Sequence, residues 1–345
     1  PCLDDNFLGS DYRSTNIALF GKLDTELSDR LNWSLGIRLE RWRADYSDRY
    51  IDFIYGDPDQ PQSNAFSPSK TLWGGDLSLN YELSGNASSY VVLSRGYKAG
   101  GFNPSLARAL GAGGSDSPAS ISFDPEALWN LEMGLKGEWL DGTLAGEFSM
   151  FYMDRQDMQL RSSAQYTDNP NDFIYVTSNA EGHSSGFEAS LDIQLGGNWS
   201  AQASLGLLQT TIDEYHLARE ADIGGTIIGR DFAHAPAFST NLGFIYQAPS
   251  NGRGEWLARV DIRSVGSYYF DYSHDEKAPS HNTVNMSLAR QWDQWEVIAW
   301  VRNLFDESYF TRGFSFGLAP PFFARSAFTR LGDPRQFGLT VNYRH

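Results

Sequence analysis

The chain has 345 residues, with 27 basic and 43 acidic side chains, and its formal net charge is −16 with histidine neutral. A chain this acidic repels phosphate backbones, which argues against nucleic acid as a partner. The single cysteine, Cys2, excludes an internal disulfide framework and a Cys-rich zinc site, while its own pairing stays open.

Hydrophobic residues recur with a period of two along most of the chain. In the segment 337–343, for example, apolar residues at the odd positions alternate with Gly338, Thr340 and Asn342. This pattern predicts β-strands that have one apolar and one polar face. The same phase places Leu191 and Leu339 on the apolar face, and Glu188 and Asp192 on the polar face.

The pattern predicts about thirteen strands, most of them near ten residues or longer. In chain order their approximate spans are 12–26, 32–46, 70–83, 88–98, 126–140, 143–158, 173–195, 198–212, 231–247, 255–271, 281–292, 295–305 and 334–345. Strands of globular proteins usually have about five or six residues. The predicted strands are long enough to cross a bilayer at a tilt.

Short and long connections alternate along the chain. Turns such as Asp141-Gly142 and Gly196-Gly197 alternate with long loops at 47–69, 99–125, 159–172, 213–230, 272–280 and 306–333. Short turns at one rim and long loops at the other are typical of an outer-membrane barrel. We expect one domain over residues 1–345, all-β, built as a transmembrane antiparallel β-barrel. A soluble β-sandwich or lectin is the alternative, because its core would also use tryptophan.

Charged residues lie on the polar face of the predicted strands, for example Arg38, Glu40, Glu188 and Asp192. A charge at mid-depth in lipid costs about 2–4 kcal/mol, so this face is expected to line the lumen. Its residues either contact a plug or a permeant, or simply form a hydrated wall with internal ion pairs. The segment 313–317 matches the G-x-S-x-G elbow of hydrolases but lies in an aromatic loop, so no catalytic residue is predicted.

Several motifs occur in a fixed order along the chain. They are Ser94-Arg95-Gly96-Tyr97-Lys98-Ala99-Gly100-Gly101-Phe102-Asn103-Pro104, Phe123-Asp124-Pro125-Glu126, Met158-Gln159, Ser178-Asn179-Ala180-Glu181-Gly182, Val301-Arg302-Asn303-Leu304-Phe305-Asp306 and Gly332-Asp333-Pro334-Arg335. As an ordered set they resemble the TonB-dependent outer-membrane receptors. The resemblance implies that the chain corresponds to about the last thirteen strands of a 22-stranded barrel, without the plug domain.

The resemblance also implies a function. We expect an outer-membrane active-transport receptor of a Gram-negative cell, a multi-pass barrel that imports a scarce bulky nutrient, with a ferric siderophore as the first expectation. Expected partners are the ligand, outer-membrane lipid and lipopolysaccharide, and TonB acting through a plug that this chain lacks. Residues 1–345 alone are therefore expected not to support energised uptake. No cofactor or enzymatic activity is expected. The alternatives are a passive porin-like channel and a soluble carbohydrate-binding β protein.

Aromatic and polar residues in or beside the long loops are the candidate ligand-binding residues. Exposed aromatic side chains with a few basic groups can grip a bulky ligand, but they can equally pack loop against loop. The candidates are Tyr97, Lys98, Phe102, Asn103, Phe314 and Phe316, with Phe322 and Phe323 beside them. No metal ligands are predicted.

Overall fold

The computed structural model describes residues 6–52, 61–104, 106, 121–165, 173–215, 227–248, 254–272, 275–319 and 324–344. Cys2, Phe322 and Phe323 lie outside these ranges. Within the described ranges, no helix is long and apolar enough to cross a bilayer.

The described ranges contain twenty strands. They are β1 (Asn6–Ser28), β2 (Leu31–Asp52), β3 (Gln62–Phe66), β4 (Ser69–Ser84), β5 (Ala87–Lys98), β6 (Gly101–Phe102), β7 (Ser122–Phe123), β8 (Glu126–Trp139), β9 (Leu144–Gln165), β10 (Phe173–Gly196), β11 (Trp199–Tyr215), β12 (Phe238–Ala248), β13 (Glu255–Val265), β14 (Tyr268–Tyr269), β15 (Lys277–Ala278), β16 (His281–Trp292), β17 (Trp295–Arg302), β18 (Phe310–Ala319), β19 (Ala324–Leu331) and β20 (Gln336–Tyr343).

Thirteen strands form one antiparallel sheet in which every strand pairs with its neighbours along the chain. The order is β1-β2-β4-β5-β8-β9-β10-β11-β12-β13-β16-β17-β20, and β3 pairs with the end of β2. Each predicted strand corresponds to one of these thirteen, which confirms the predicted all-β antiparallel fold. The order ends on β1 and β20, and among the described residues no pairing joins those two strands.

Strand boundaries differ from the prediction where the backbone cannot join the ladder. The strand expected from residue 231 begins only at Phe238, because His234 has a φ of 57° and Pro236 has no N–H to donate. The long loop expected at 306–333 instead contains the hairpin of β18 and β19. The segment 313–317 thus lies on a strand, without the strand-turn-helix geometry of a hydrolase elbow.

The predicted short turns are present at one rim of the sheet. Between β8 and β9, Leu140, Asp141 and Gly142 all have positive φ, and Gly142 reaches 81°. Between β10 and β11, Gly196 and Gly197 have φ values of 83° and 57°. Glycine adopts this left-handed region at little cost, which explains why these turns hold it.

Cross-strand pairing confirms the two faces. Asp192 pairs with Gln202, whose Nε2 donates to Asp192 Oδ1 over 2.9 Å, so polar groups meet on one face. Leu339 pairs with Ala299 on the other face and remains 67% exposed. An apolar face of this extent marks a surface that another apolar phase must cover.

The core lies at the long-loop rim rather than in the middle of the sheet. On β2 the apolar phase switches faces: Leu35, Ile37 and Leu39 are exposed, whereas Trp42 and Tyr46 are buried on the opposite face. Three packed clusters form there, which we call the rim clusters. They contain Trp42, Ala44 and Leu72; Tyr46, Leu106, Ile121 and Val176; and Met158, Leu160, Ala180, Ile212, Ile227 and Phe232.

Candidate ligand-binding wall

A cavity of about 980 Å³ lies against β1, β2, β4 and β5, towards the long-loop rim. We call its polar and aromatic lining the wall site; its members are Phe20, Lys22, Arg38, Glu40, Asp76 and Tyr97. The volume falls at the upper end of the usual range for ligand pockets, about 300–1,000 Å³. Four different strands supply the side chains, so only the paired sheet assembles the site.

Glycines on β4 make room for the wall site. A Cβ atom at Gly74 would come within 2.9 Å of the backbone oxygen of Arg95 and within 3.2 Å of the Tyr97 ring. The ring of Tyr97 therefore lies over a strand that carries no side chain at that point. This close approach lets its hydroxyl cross β4 and reach β2.

A hydrogen-bonded network connects β1, β2 and β5. Arg38 Nε donates to Tyr97 Oη over 2.9 Å, and Tyr97 Oη donates to Glu40 Oε2 over 2.9 Å. Arg38 Nη2 lies 2.5 Å from Glu40 Oε2, and Asn16 Nδ2 donates to Glu40 Oε1 over 2.7 Å. The Glu40 carboxylate is thus fully engaged, and its residue is only 6% exposed.

Arg38 and Phe20 present the accessible part of the wall site. The Arg38 side chain is 43% exposed, so its guanidinium still has donors facing the cavity. Its Cζ lies 5.7 Å from the centroid of the Phe20 ring, and Phe20 is 72% exposed. The site therefore offers a fixed cation beside an open aromatic surface, which suits a ligand with anionic oxygens and a flat apolar part.

Two of the predicted ligand residues are drawn into rim packing. Phe102 stacks on Tyr46 with centroids 4.5 Å apart and planes at 10°. Tyr97 and Phe102 both pack against the cluster of Trp42, Ala44 and Leu72. Tyr97 contributes to the wall site as well, whereas Phe102 packs its ring against Tyr12, Tyr46 and Phe66 on β1, β2 and β3.

Asn103 is a structural clamp. It is 5% exposed, and its side-chain Nδ2 donates to the Thr177 carbonyl while its Oδ1 accepts from the Thr177 N–H, both over 2.8 Å. Among the described residues, the ladder between β10 and β11 ends at the pair of Ala180 and Tyr215. The Asn103 amide therefore satisfies both backbone groups of Thr177, as a paired strand would. Lys98 is exposed and pairs in register with Glu126.

Phe314 lies apart from the wall site, on the β18–β19 hairpin. Its ring stacks on Phe328 with centroids 5.6 Å apart, and it is 47% exposed. Phe314 does not line the cavity of the wall site. Phe316 pairs through its backbone with Ser326, and its side chain is not described. Of the six predicted ligand residues, only Tyr97 lines the cavity of the wall site, and a ligand-binding role for the six stays a prediction.

Motif residues near the loop of 99–125 hold the rim together. Glu126, 8% exposed, accepts from Arg155 Nε over 2.9 Å and from the Gln159 backbone N–H over 3.0 Å. Asn179 accepts from the Asp124 backbone N–H over 2.7 Å and donates to the Asp157 carbonyl over 2.8 Å. Both side chains form hydrogen bonds with backbone groups at the rim, and Glu126 also pairs with the Arg155 side chain.

The burial of Tyr46 in the rim packing also affects the pKa of its hydroxyl group. Its hydroxyl donates to Asp48 Oδ2 over 2.8 Å, in a buried position beyond the bilayer-length part of β2. Burial first, and then the hydrogen bond to the Asp48 carboxylate, raise the pKa of Tyr46 well above its ordinary value.

Sequence reasoning missed Phe20, Lys22 and Asp76 as site residues. Phe20 is an apolar residue in the phase of the polar face, between Ala18 and Lys22. This break in the alternation could have marked Phe20 as a site residue, because a large aromatic side chain on an otherwise polar face departs from the pattern of the strand.

The fold defines a class: a single antiparallel sheet of long strands with one polar and one apolar face. The family model for the TonB dependent receptor-like β-barrel matches residues 3–304, and the chain belongs to this family. The family consists of transport receptors, which confirms the predicted resemblance and the prediction that the chain is not an enzyme.

Two relatives and one solved structure show the extent of the match. The pesticin receptor of Yersinia pestis is 25% identical over 315 residues, covering 87% of this chain and 40% of that receptor. The metal-pseudopaline receptor CntO of Pseudomonas aeruginosa is 23% identical over 328 residues, covering 92% and 39%. The structure of the ferric yersiniabactin uptake receptor FyuA from Yersinia pestis matches with a TM-score of 0.73 at 20% identity, covering 98% of this chain and 47% of that one. The chain spans less than half the length of each of these proteins.

Proposed function

We propose that the chain forms the barrel wall of an outer-membrane receptor that imports a ferric siderophore, with energy delivered through TonB. Membership of the receptor family supports this proposal, as do the names of its relatives, one of which is a ferric yersiniabactin uptake receptor. In this proposal the apolar face contacts lipid, the polar face lines the lumen, and the long-loop rim faces outward.

The observation that carries the proposal is the wall site. A ferric siderophore is a bulky metal chelate whose coordinating oxygens remain partly negative at its surface. The half-exposed Arg38 guanidinium can donate to such oxygens, and the exposed Phe20 ring can cover an apolar part of the chelate. Glu40 and Tyr97 hold the guanidinium in place, so little side-chain entropy is lost on binding.

The test is growth on a ferric siderophore as the only iron source, with the gene deleted from its host and returned as variants. Arg38→Gln should weaken ligand binding about 10-fold or more, since charge-assisted hydrogen bonds contribute roughly 1.5–3 kcal/mol. Phe20→Ala should weaken it as well, because it removes the apolar surface that covers the chelate. Deleting TonB should abolish growth with the unaltered protein.

Arg259→Gln is the matched control. Arg259 forms the same kind of pair, with Asp261 two residues along the strand at 2.7 Å, and its side chain is 40% exposed. It does not line the cavity of the wall site. Binding losses in Arg259→Gln equal to those in Arg38→Gln would contradict the assignment of the wall site. Uptake that persists without TonB and admits unrelated solutes would instead indicate a passive channel.

A further inference from the structure

The hairpin of β18 and β19, at the long-loop rim, has one packed face and one exposed face. Gly313 is buried, and a Cβ atom there would come within 2.5 Å of the Phe270 ring. The Tyr268 hydroxyl donates to the Phe310 carbonyl over 3.2 Å, which ties β18 to the neighbouring loop. On the face opposite Gly313, β18 and β19 each carry an arginine and a phenylalanine, and all four are exposed. We call these four residues the hairpin face: Arg312, Phe314, Phe328 and Arg330.

Two arginines lie directly opposite each other on the hairpin face. Arg312 on β18 is the register partner of Arg330 on β19. Directly opposite residues have Cβ atoms about 4.5–5.5 Å apart, and like charges at that separation destabilise a strand pair. Among the described residues, no ion pair involves either arginine. In a chain with a net charge of −16, this pair is a local positive charge that an anionic partner would compensate.

Two stacked phenylalanines continue the hairpin face beyond the arginines. Phe314 is the register partner of Phe328, and their rings lie at an interplanar angle of 19°. Phe328 is 45% exposed although the two rings cover each other. Along β19, Phe328 and Arg330 are two residues apart, so their side chains lie on one face at a spacing of roughly 7 Å. A partner that covers this face therefore needs an apolar group and an acidic group at the same spacing.

The strand β19 also has an open edge. Within the described ranges it pairs only with β18, which itself contacts β15, and the residues from Ala327 to Leu331 are all exposed. An open edge presents unpaired N–H and C=O groups that can pair with another chain. Single charges are enough to protect such an edge, whereas here two opposed arginines accompany an exposed ring stack. Only an extended polypeptide can use the backbone edge and the side chains of the hairpin face together.

We propose that the β18–β19 hairpin binds an extended acidic segment of another protein, which adds to β19 as a third strand. Backbone hydrogen bonds to the edge of β19 supply affinity, and the hairpin face supplies specificity. The segment carries an acidic residue beside Arg330 and an apolar residue, two positions away, beside Phe328. This inference goes beyond the proposed uptake function, because neither the wall site nor the transported ligand takes part in it.

The experiment measures binding of a fluorescent peptide to the native protein, purified from membranes in mild detergent. The probe is the capped peptide Thr-Asp-Thr-Val-Thr-Asp-Thr, whose central valine has an aspartate two residues away on either side, so that it fits a parallel or an antiparallel strand. The same peptide with lysine in place of both aspartates should bind at least about 10-fold more weakly. The acidic peptide with every backbone nitrogen methylated should also bind at least about 10-fold more weakly, because it cannot donate to the strand edge.

Two variants of the hairpin face test the charges. The double variant Arg312→Gln, Arg330→Gln should bind the acidic peptide about 3–10-fold more weakly, as expected for two exposed charge pairs. The double variant Arg312→Glu, Arg330→Glu should reverse the preference and bind the lysine peptide more tightly than the acidic one. This gain of binding also shows that the hairpin of the variant is folded. Hydrogen exchange at the β19 amides that face away from β18 should slow when the acidic peptide binds the unaltered protein.

The double variant Arg43→Glu, Arg49→Glu is the matched control. Both arginines are exposed on the outer part of β2, so the change in charge is the same. Their strand is paired on both sides, with β1 on one side and with β3 or β4 on the other, and it offers no open edge at these positions. This variant should bind the acidic peptide within about twofold of the unaltered protein.

Equal binding of the acidic and the lysine peptide would overturn the proposal. So would full binding of the methylated peptide, because it would show an anion site without strand addition. An equal loss in the β2 control variant would show that only the net charge of the protein was measured. If the acidic peptide does not bind and a short-chain phosphatidylglycerol does, with a loss in the double glutamate variant, the hairpin face serves a lipid headgroup and the proposal is wrong.

Discussion

Replacing Asn103 by alanine tests whether this residue holds the rim or contacts the ligand. The substitution removes two hydrogen bonds of 2.8 Å to the backbone of Thr177. Each is worth about 1 kcal/mol net, and each open backbone group left behind adds a cost of about 1–3 kcal/mol where water is excluded. Thr177 is only partly buried, so water compensates some of that cost. We expect the local opening free energy at Thr177 to fall by about 2–3 kcal/mol.

Hydrogen exchange at the Thr177 amide is the direct assay, because that N–H donates to Asn103 Oδ1. A loss of about 2 kcal/mol corresponds to roughly 30-fold faster exchange. Asn103→Asp should have a similar or larger effect, because it replaces the donor facing the Thr177 carbonyl by an acceptor.

Asn342→Ala is the control for this prediction. Asn342 makes one exposed hydrogen bond, to Glu296 over 2.8 Å, and its loss should change exchange at neighbouring amides by less than about threefold. Unchanged exchange at Thr177 in Asn103→Ala, together with weaker ligand binding, would refute the clamp and restore Asn103 as a ligand residue.

The remaining predictions concern the faces, the rim and its pH dependence. Spin labels at Leu339 should be quenched by lipid-soluble oxygen and labels at Asp192 by an aqueous reagent; the reverse would mean that the strand register is shifted by one residue. Glu126→Gln leaves the part-buried Arg155 without its carboxylate partner, and should lower the thermal midpoint of the rim, with a free-energy cost of about 2–4 kcal/mol; a midpoint within error of the unaltered protein would contradict this. Since the folded-state pKa of Tyr46 is raised, its contribution to stability is present below about pH 10 and is lost as the pH rises through the folded pKa. Tyr46→Phe should therefore flatten the fall in stability above about pH 10, measured by alkaline unfolding, and an unchanged profile would exclude Tyr46 as its source.

Some rim features were visible in the sequence but were interpreted as loop. Phe310, Arg312, Phe314 and Phe316 alternate with Thr311, Gly313 and Ser315, which is a period of two. The neighbouring glycines and prolines favoured a loop over 306–333, whereas β18 and β19 pair there. The alternation was the better guide, because a hairpin needs only local pairing across a turn.

Contacts between distant segments could not be predicted from the sequence. Nothing local shows that Asn103 meets Thr177, which lies 74 residues further along the chain. The motif around Asn103 predicted a loop with candidate ligand residues. A side-chain amide in a loop can equally bind a ligand or form hydrogen bonds with the unpaired backbone groups of a strand. Only the tertiary structure, which brings Asn103 against the backbone of Thr177, decides between the two.

The strand order, the short turns and the two faces were determined by the sequence alone, because the period of two and the turn residues are local properties of the backbone. The wall site was decided by the tertiary structure. Arg38, Glu40 and Tyr97 come from strands separated by β4, and they meet only because the register places Gly74 between them. The alternation along one strand shows which face each residue occupies. Which residues of other strands lie beside it on that face depends on the register of every strand in between.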